Sequence, residues 1–190
     1  MGDGAPKLPP AFTLCDDGAC GEAKKRIVTT GEGAKQKSVP EVGCEKSEKC
    51  GSGGCYCQLF LHREGEKHKD DTWEMAPMDG EGFTHEREKH VYRCLCVKPV
   101  LPDGYTLFAC GECKQEAIGE GGGRQIKCVG KCPGEANCHL FRIKLPEKDK
   151  DHKDPWEHVA EPSGLILPEK GYYYRCFCVK KEEKKDGEKK

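Results

Sequence analysis

The chain has little from which to build an ordinary core. Of its 190 residues only 35% are hydrophobic and 7% aromatic, against 34% charged, and the mean hydropathy is −0.79. A short chain this poor in apolar residues is expected to need covalent or metal cross-links to stay folded. No apolar run approaches the ~20 residues of a membrane-crossing helix, so no membrane span is expected. The opening MGDGAPKLPPAFTL lacks the basic region and apolar stretch of a secretory signal. Charge of one sign is missing too. The net charge is −1, and neither half holds the basic stripe that neutralises phosphates, which excludes nucleic acid from the expected partners. There is one asparagine and no Asn-x-Ser/Thr acceptor for a glycan. No serine–histidine–acid arrangement stands out. No glycine-rich segment sits between a strand and a substantial helix to cradle a phosphate. An enzyme is not the expectation.

What the chain has in quantity is cysteine, fifteen of them, a level that marks a cross-linked scaffold. It also repeats itself. Cys57–Lys98 (CQLFLHREGEKHKDDTWE to VYRCLCVK) returns as Cys138–Lys180 (CHLFRIKLPEKDKDHKDPWE to YYRCFCVK), and Phe12–Ala23 returns as Tyr105–Ala117. An internal repeat sets the architecture before any single motif does. The expected organisation is a flexible leader over 1–10, a cysteine-rich repeat over 11–97, a proline-containing linker over 98–103, a second repeat over 104–180, and a charged disordered tail over 181–190. Alignment pairs Cys20 with Cys113, Cys44 with Cys128, Cys50 with Cys132, Cys57 with Cys138, Cys94 with Cys176 and Cys96 with Cys178. Cys15, Cys55 and Cys110 are left over. Trp73 matches Trp156, each with a histidine just before it, His68 and His152.

The local pattern is strand. His90–Val97 and Tyr172–Val179 alternate, with Val91, Leu95 and Val97 on one face and Tyr92, Cys94 and Cys96 on the other. Leu59–Leu61 and Leu140–Ile143 read as their partners, in a register that sets Leu145 opposite Gly171 and Cys138 opposite Cys178. Glycine-rich stretches at 51–54 and 119–123 exclude long helices. Only Glu112–Ile118 carries a weak helical pattern. The expected fold is mainly β: two tandem, duplicated, small cysteine-rich antiparallel modules with long loops.

A Cys-x-Cys on a strand puts both sulfurs on one face about 7 Å apart, too far to bond each other. They must reach thiols elsewhere or a metal. The favoured reading is structural Zn2+. Cys110 and Cys113, then Cys128 and Cys132, form two short hooks compatible with a tetrahedral four-cysteine site. Cys15 and Cys20, with Cys44 and Cys50, are looser hooks in the first repeat. Cys55, Cys57, Cys94 and Cys96 would complete two sites there; Cys138, Cys176, Cys178 and His139 would complete two in the second. Abundant Lys and Glu suit a reducing, cytoplasmic setting. The alternative is disulfides in an extracellular or surface setting. Six shared cysteines make three bridges per repeat. Cys15 and Cys55, both missing from the second repeat, look like bonded partners gained or lost together, and Cys110 is left to join a neighbouring chain.

Function is expected to be binding or scaffolding, with a protein partner or self-assembly. Trp73, Trp156, His68 and His152 are the candidate interaction residues, although each tryptophan also suits anchoring its loop to the sheet. Two further readings are a shell, filament or decoration subunit, and a thiol redox or metal-handling protein using Cys110-Gly-Glu-Cys113. The short helical pattern after Cys113 offers little to lower a thiol pKa.

Overall fold

The side-chain alternation seen at His90–Val97 and Tyr172–Val179 is realised as the two long strands around which each half is built. The computed structural model describes residues 6–31, 36–44, 50, 54–64, 73–79, 81–108, 113–119, 124–145, 154–161 and 164–182, and every regular element in them is a β-strand. The chain divides into two compact units, one holding Cys55–Lys98 and most of the chain before it, the other Pro99–Leu145 and Asp154–Lys190.

The first unit contains β1 (Phe12–Ala19), β2 (Lys24–Thr30), β3 (Lys37–Gly43), β4 (Tyr56–Arg63), β5 (Glu74–Met75), β6 (Phe83–His85) and β7 (His90–Pro99). A four-stranded sheet has the order β1-β7-β4-β5, and a three-stranded sheet the order β2-β3-β6. β4 and β7 pair antiparallel, with Cys57 opposite Cys96 and Leu59 opposite Cys94. One face of this sheet offers Leu59, Leu61, Cys94 and Cys96, which pack with Val42 of β3 and with Cys15, Cys20, Cys44, Cys50 and Cys55. The core between the sheets is therefore largely sulfur. The other face carries Phe12, Phe60, Met75 and Val97, all buried, with the Phe12 and Phe60 rings edge to face at 5.4 Å. Burial of each large side chain contributes about 2 kcal/mol.

The second unit contains β8 (Tyr105–Leu107), β9 (Lys114–Ile118), β10 (Gln125–Val129), β11 (Asn137–Lys144), β12 (Glu157–Ala160) and β13 (Tyr172–Lys181). Its large sheet runs β8-β13-β11-β12, beside a β9-β10 hairpin that Ile126 extends by a bridge to Ile166. Taken strand for strand, this is the order of the first unit. Cys138 lies opposite Cys178, as the register requires, and the Leu145 amide donates to the Gly171 carbonyl. The Glu64 amide donates to the Lys89 carbonyl at the same place in the first unit. Leu140, Cys138, Cys176 and Cys178 face Ile126 and Cys128.

One local expectation fails. Lys114–Ile118 is strand β9, not helix: Gln115 pairs with Cys128 and Ala117 with Ile126, so a hairpin ladder overrides a weak propensity. Of the expected leader over 1–10 and tail over 181–190, residues 1–5 and 183–190 lie outside the described residues, as do most of both glycine-rich stretches.

The small sheet of the first unit is closed by a tight contact at Gly43, where the Cys44 amide donates to the Gly82 carbonyl. A Cβ at Gly43 would overlap the Gly82 carbonyl oxygen and the Phe83 ring. Gly43→Ala is expected to lower stability by about 1–3 kcal/mol, the usual scale of overpacking. Denaturant unfolding of the oxidised protein measures it; no change would mean that β6 moves aside at no cost.

Candidate functional site

Both sulfurs of each Cys-x-Cys do reach away from their strand. Cys94 of β7 bonds Cys44, just beyond β3, and Cys96 bonds Cys50. Cys57 of β4 bonds Cys20, and Cys15 bonds Cys55. In the second unit Cys113 bonds Cys138, Cys128 bonds Cys176, and Cys132 bonds Cys178. The three bridges of the second unit match three of the first, cysteine for aligned cysteine. The added bridge of the first unit is the Cys15–Cys55 pair that the second lacks. Cα separations of 5.5–6.4 Å suit disulfides throughout. Cys138 and Cys178, although opposite in register, bond other partners.

These seven bonds overturn the expected structural Zn2+. A zinc site built of cysteines needs thiolates, and the fourteen described cysteines have formed sulfur–sulfur bonds instead. The sulfurs do cluster. Cys20 Sγ lies 3.3 Å from both Cys50 Sγ and Cys96 Sγ, and Cys132 Sγ lies 3.4 Å from Cys138 Sγ. That closeness is two bridges packed side by side in each core. Seven disulfides also favour an oxidising, extracellular or surface setting over the expected cytoplasm. Composition could not reveal this, because abundant Lys and Glu describe a solvated surface in any compartment.

His139 was the sixteenth expected ligand, placed beside Cys138. Strand geometry separates them: neighbours on β11 point to opposite faces. Cys138 enters the sulfur core, while His139 is 3% exposed on the other face. There its Nδ1 lies 3.0 Å from Nε2 of His158 on β12 and 3.5 Å from Oε2 of Glu161. The Tyr105 ring stacks on His158 at 4.8 Å and meets His139 edge-on at 5.8 Å. Burial pushes both imidazoles below their ordinary pKa, and the Glu161 carboxylate partly opposes it. Glu161 is itself held low by the Lys181 ammonium, which donates to its Oε1 at 2.8 Å. His158 and Glu161 were not legible as site residues. Histidine without a counterpart in the other repeat reads as surface, and only the β11–β12 pairing brings the three together.

Both tryptophans are buried. Trp156 is fully buried, edge-on to Phe177 at 5.1 Å. Trp73 is 8% exposed, edge-on to His62 at 4.6 Å. His68, His152 and Cys110 lie outside the described residues.

Fold and bridges together define a mainly β, cysteine-rich, disulfide-stabilised protein. No family model, curated protein or solved structure matches the chain, and no helix among the described residues is long and apolar enough to cross a membrane.

Proposed function

We propose that the chain is a non-enzymatic structural or assembly subunit that works outside the cell or at a surface, built from two modules of common origin. The observation that carries this reading is the disulfide set. Seven bonds cross-link two small units whose apolar content alone would leave them marginal, which suits a protein that must persist without cellular repair. The matched strand orders and bridges support the duplication. Repeated modules present repeated surfaces, and linked surfaces raise the avidity of assembly.

Cys110 is the natural joint. The seven bonds use the other fourteen cysteines of these 190 residues, so none of them remains for it. The exposed Leu165 and Leu167, on either side of the Ile166 bridge, add apolar surface suited to a second copy. The expected result is a covalent dimer on non-reducing electrophoresis of air-oxidised protein, lost in Cys110→Ser while the seven internal bridges remain. A chain that stays monomeric by both electrophoresis and light scattering at high concentration contradicts the assembly reading.

A further inference from the structure

We propose that His139, His158 and Glu161 form a binding site for a divalent first-row transition cation with a preference for near-right-angled ligands, Cu2+ or Ni2+, and that only the second unit has it. The site uses imidazole nitrogens and a carboxylate, the donors such ions favour, and no cysteine.

The geometry is partly assembled. One donor atom from each residue lies within 4.8 Å of the others. Metal–nitrogen bonds run about 2.0–2.1 Å, so the 3.0 Å between His139 Nδ1 and His158 Nε2 would subtend about 95° at a shared ion. That is the cis angle of a square-planar or octahedral centre; a tetrahedral one would set the nitrogens about 3.3 Å apart. The surroundings hold the rings in place. Tyr105 packs on both imidazoles and Phe141 lies edge-on to His158 at 5.3 Å. Lys181 engages Glu161 through Oε1, leaving Oε2 turned to His139. Such outer contacts orient ligands before an ion arrives.

The first unit supplies the internal comparison. Gln58 occupies the place of His139 one residue beyond the aligned cysteine, and Met75, opposite Phe60, occupies that of His158, opposite Phe141. Gln58 is committed elsewhere, its Nε2 donating to the Ala76 carbonyl at 2.8 Å. The same framework thus carries a donor pair in one unit and a hydrogen-bonded amide with a thioether in the other.

The test titrates the oxidised 190-residue chain, in a Cys110→Ser background that removes the remaining thiol, with Cu2+ and separately with Ni2+. Calorimetry is expected to show one tight ion per chain. Electron paramagnetic resonance of the Cu2+ form should show two imidazole nitrogens. His139→Gln and His158→Met, which copy the first unit, and Glu161→Gln are each expected to weaken binding by at least about tenfold. Glu161 is half exposed, so that variant folds regardless of the buried pair, and far-ultraviolet dichroism verifies each fold. Binding that is absent, or unchanged in the folded Glu161→Gln and His158→Met proteins, overturns the site and leaves a histidine–histidine hydrogen bond.

Discussion

Reduction is expected to unfold this protein, and chelation is expected to leave it intact. Closing a loop of about 40 residues contributes about 4 kcal/mol in the chain-entropy account. The bridges here span separations of 25 to 50 residues. Whole domains are stable by only about 5–15 kcal/mol, so loss of the four bridges of the first unit, or the three of the second, removes about as much as a unit of this composition has. In the Cys110→Ser chain the intact mass should rise by about 14 Da on reduction, two hydrogens for each of seven bridges. Tryptophan fluorescence should shift to the red as Trp73 and Trp156 leave their buried sites. A strong chelator should alter neither reading. Unfolding in chelator with no mass change on reduction would return the cysteines to thiolates and refute the disulfide reading.

Trp156→Ala is expected to cost about 3–5 kcal/mol, the range for emptying a fully buried aromatic position. Its indole is 0% exposed and stands edge-on to Phe177 of β13, with Tyr173 at 6.3 Å. Because the residue sits just before β12, the cavity would also loosen the strand that carries His158. Denaturant unfolding under oxidising conditions measures the loss, since intact bridges keep the unfolded chain comparable between variants. Trp156→Phe should recover most of it. A loss under about 1 kcal/mol would mean the indole is not a core residue and is open to a partner.

Much of the architecture was legible because its signal is local. Alternation along His90–Val97 and Tyr172–Val179 identifies a strand whatever surrounds it, and the hydrophobic run after each of Cys57 and Cys138 identifies its partner. The pairing of Cys15 with Cys55 followed from their joint absence in the second repeat. Glu112–Ile118 misled because seven residues hold too little pattern to separate a short helix from a hairpin strand. The choice between zinc and disulfide misled for another reason. A cysteine spacing constrains which sulfurs can meet, but both chemistries ask for the same meeting, and only the actual pairing tells them apart.

The sequence by itself determined the mainly β class and the need for cross-links, because side-chain period and apolar content are properties of the chain read in order. Tertiary structure decided what those cysteines do, by bringing Cys94 to Cys44 and Cys128 to Cys176 across the two layers of each core. It also decided where the histidines lie. His139 and Cys138 are neighbours in the chain and strangers in space, while His139, His158 and Glu161 are up to 22 residues apart and meet within 4.8 Å. Alternation along a strand sends adjacent side chains to opposite faces, and only strand pairing says what waits there.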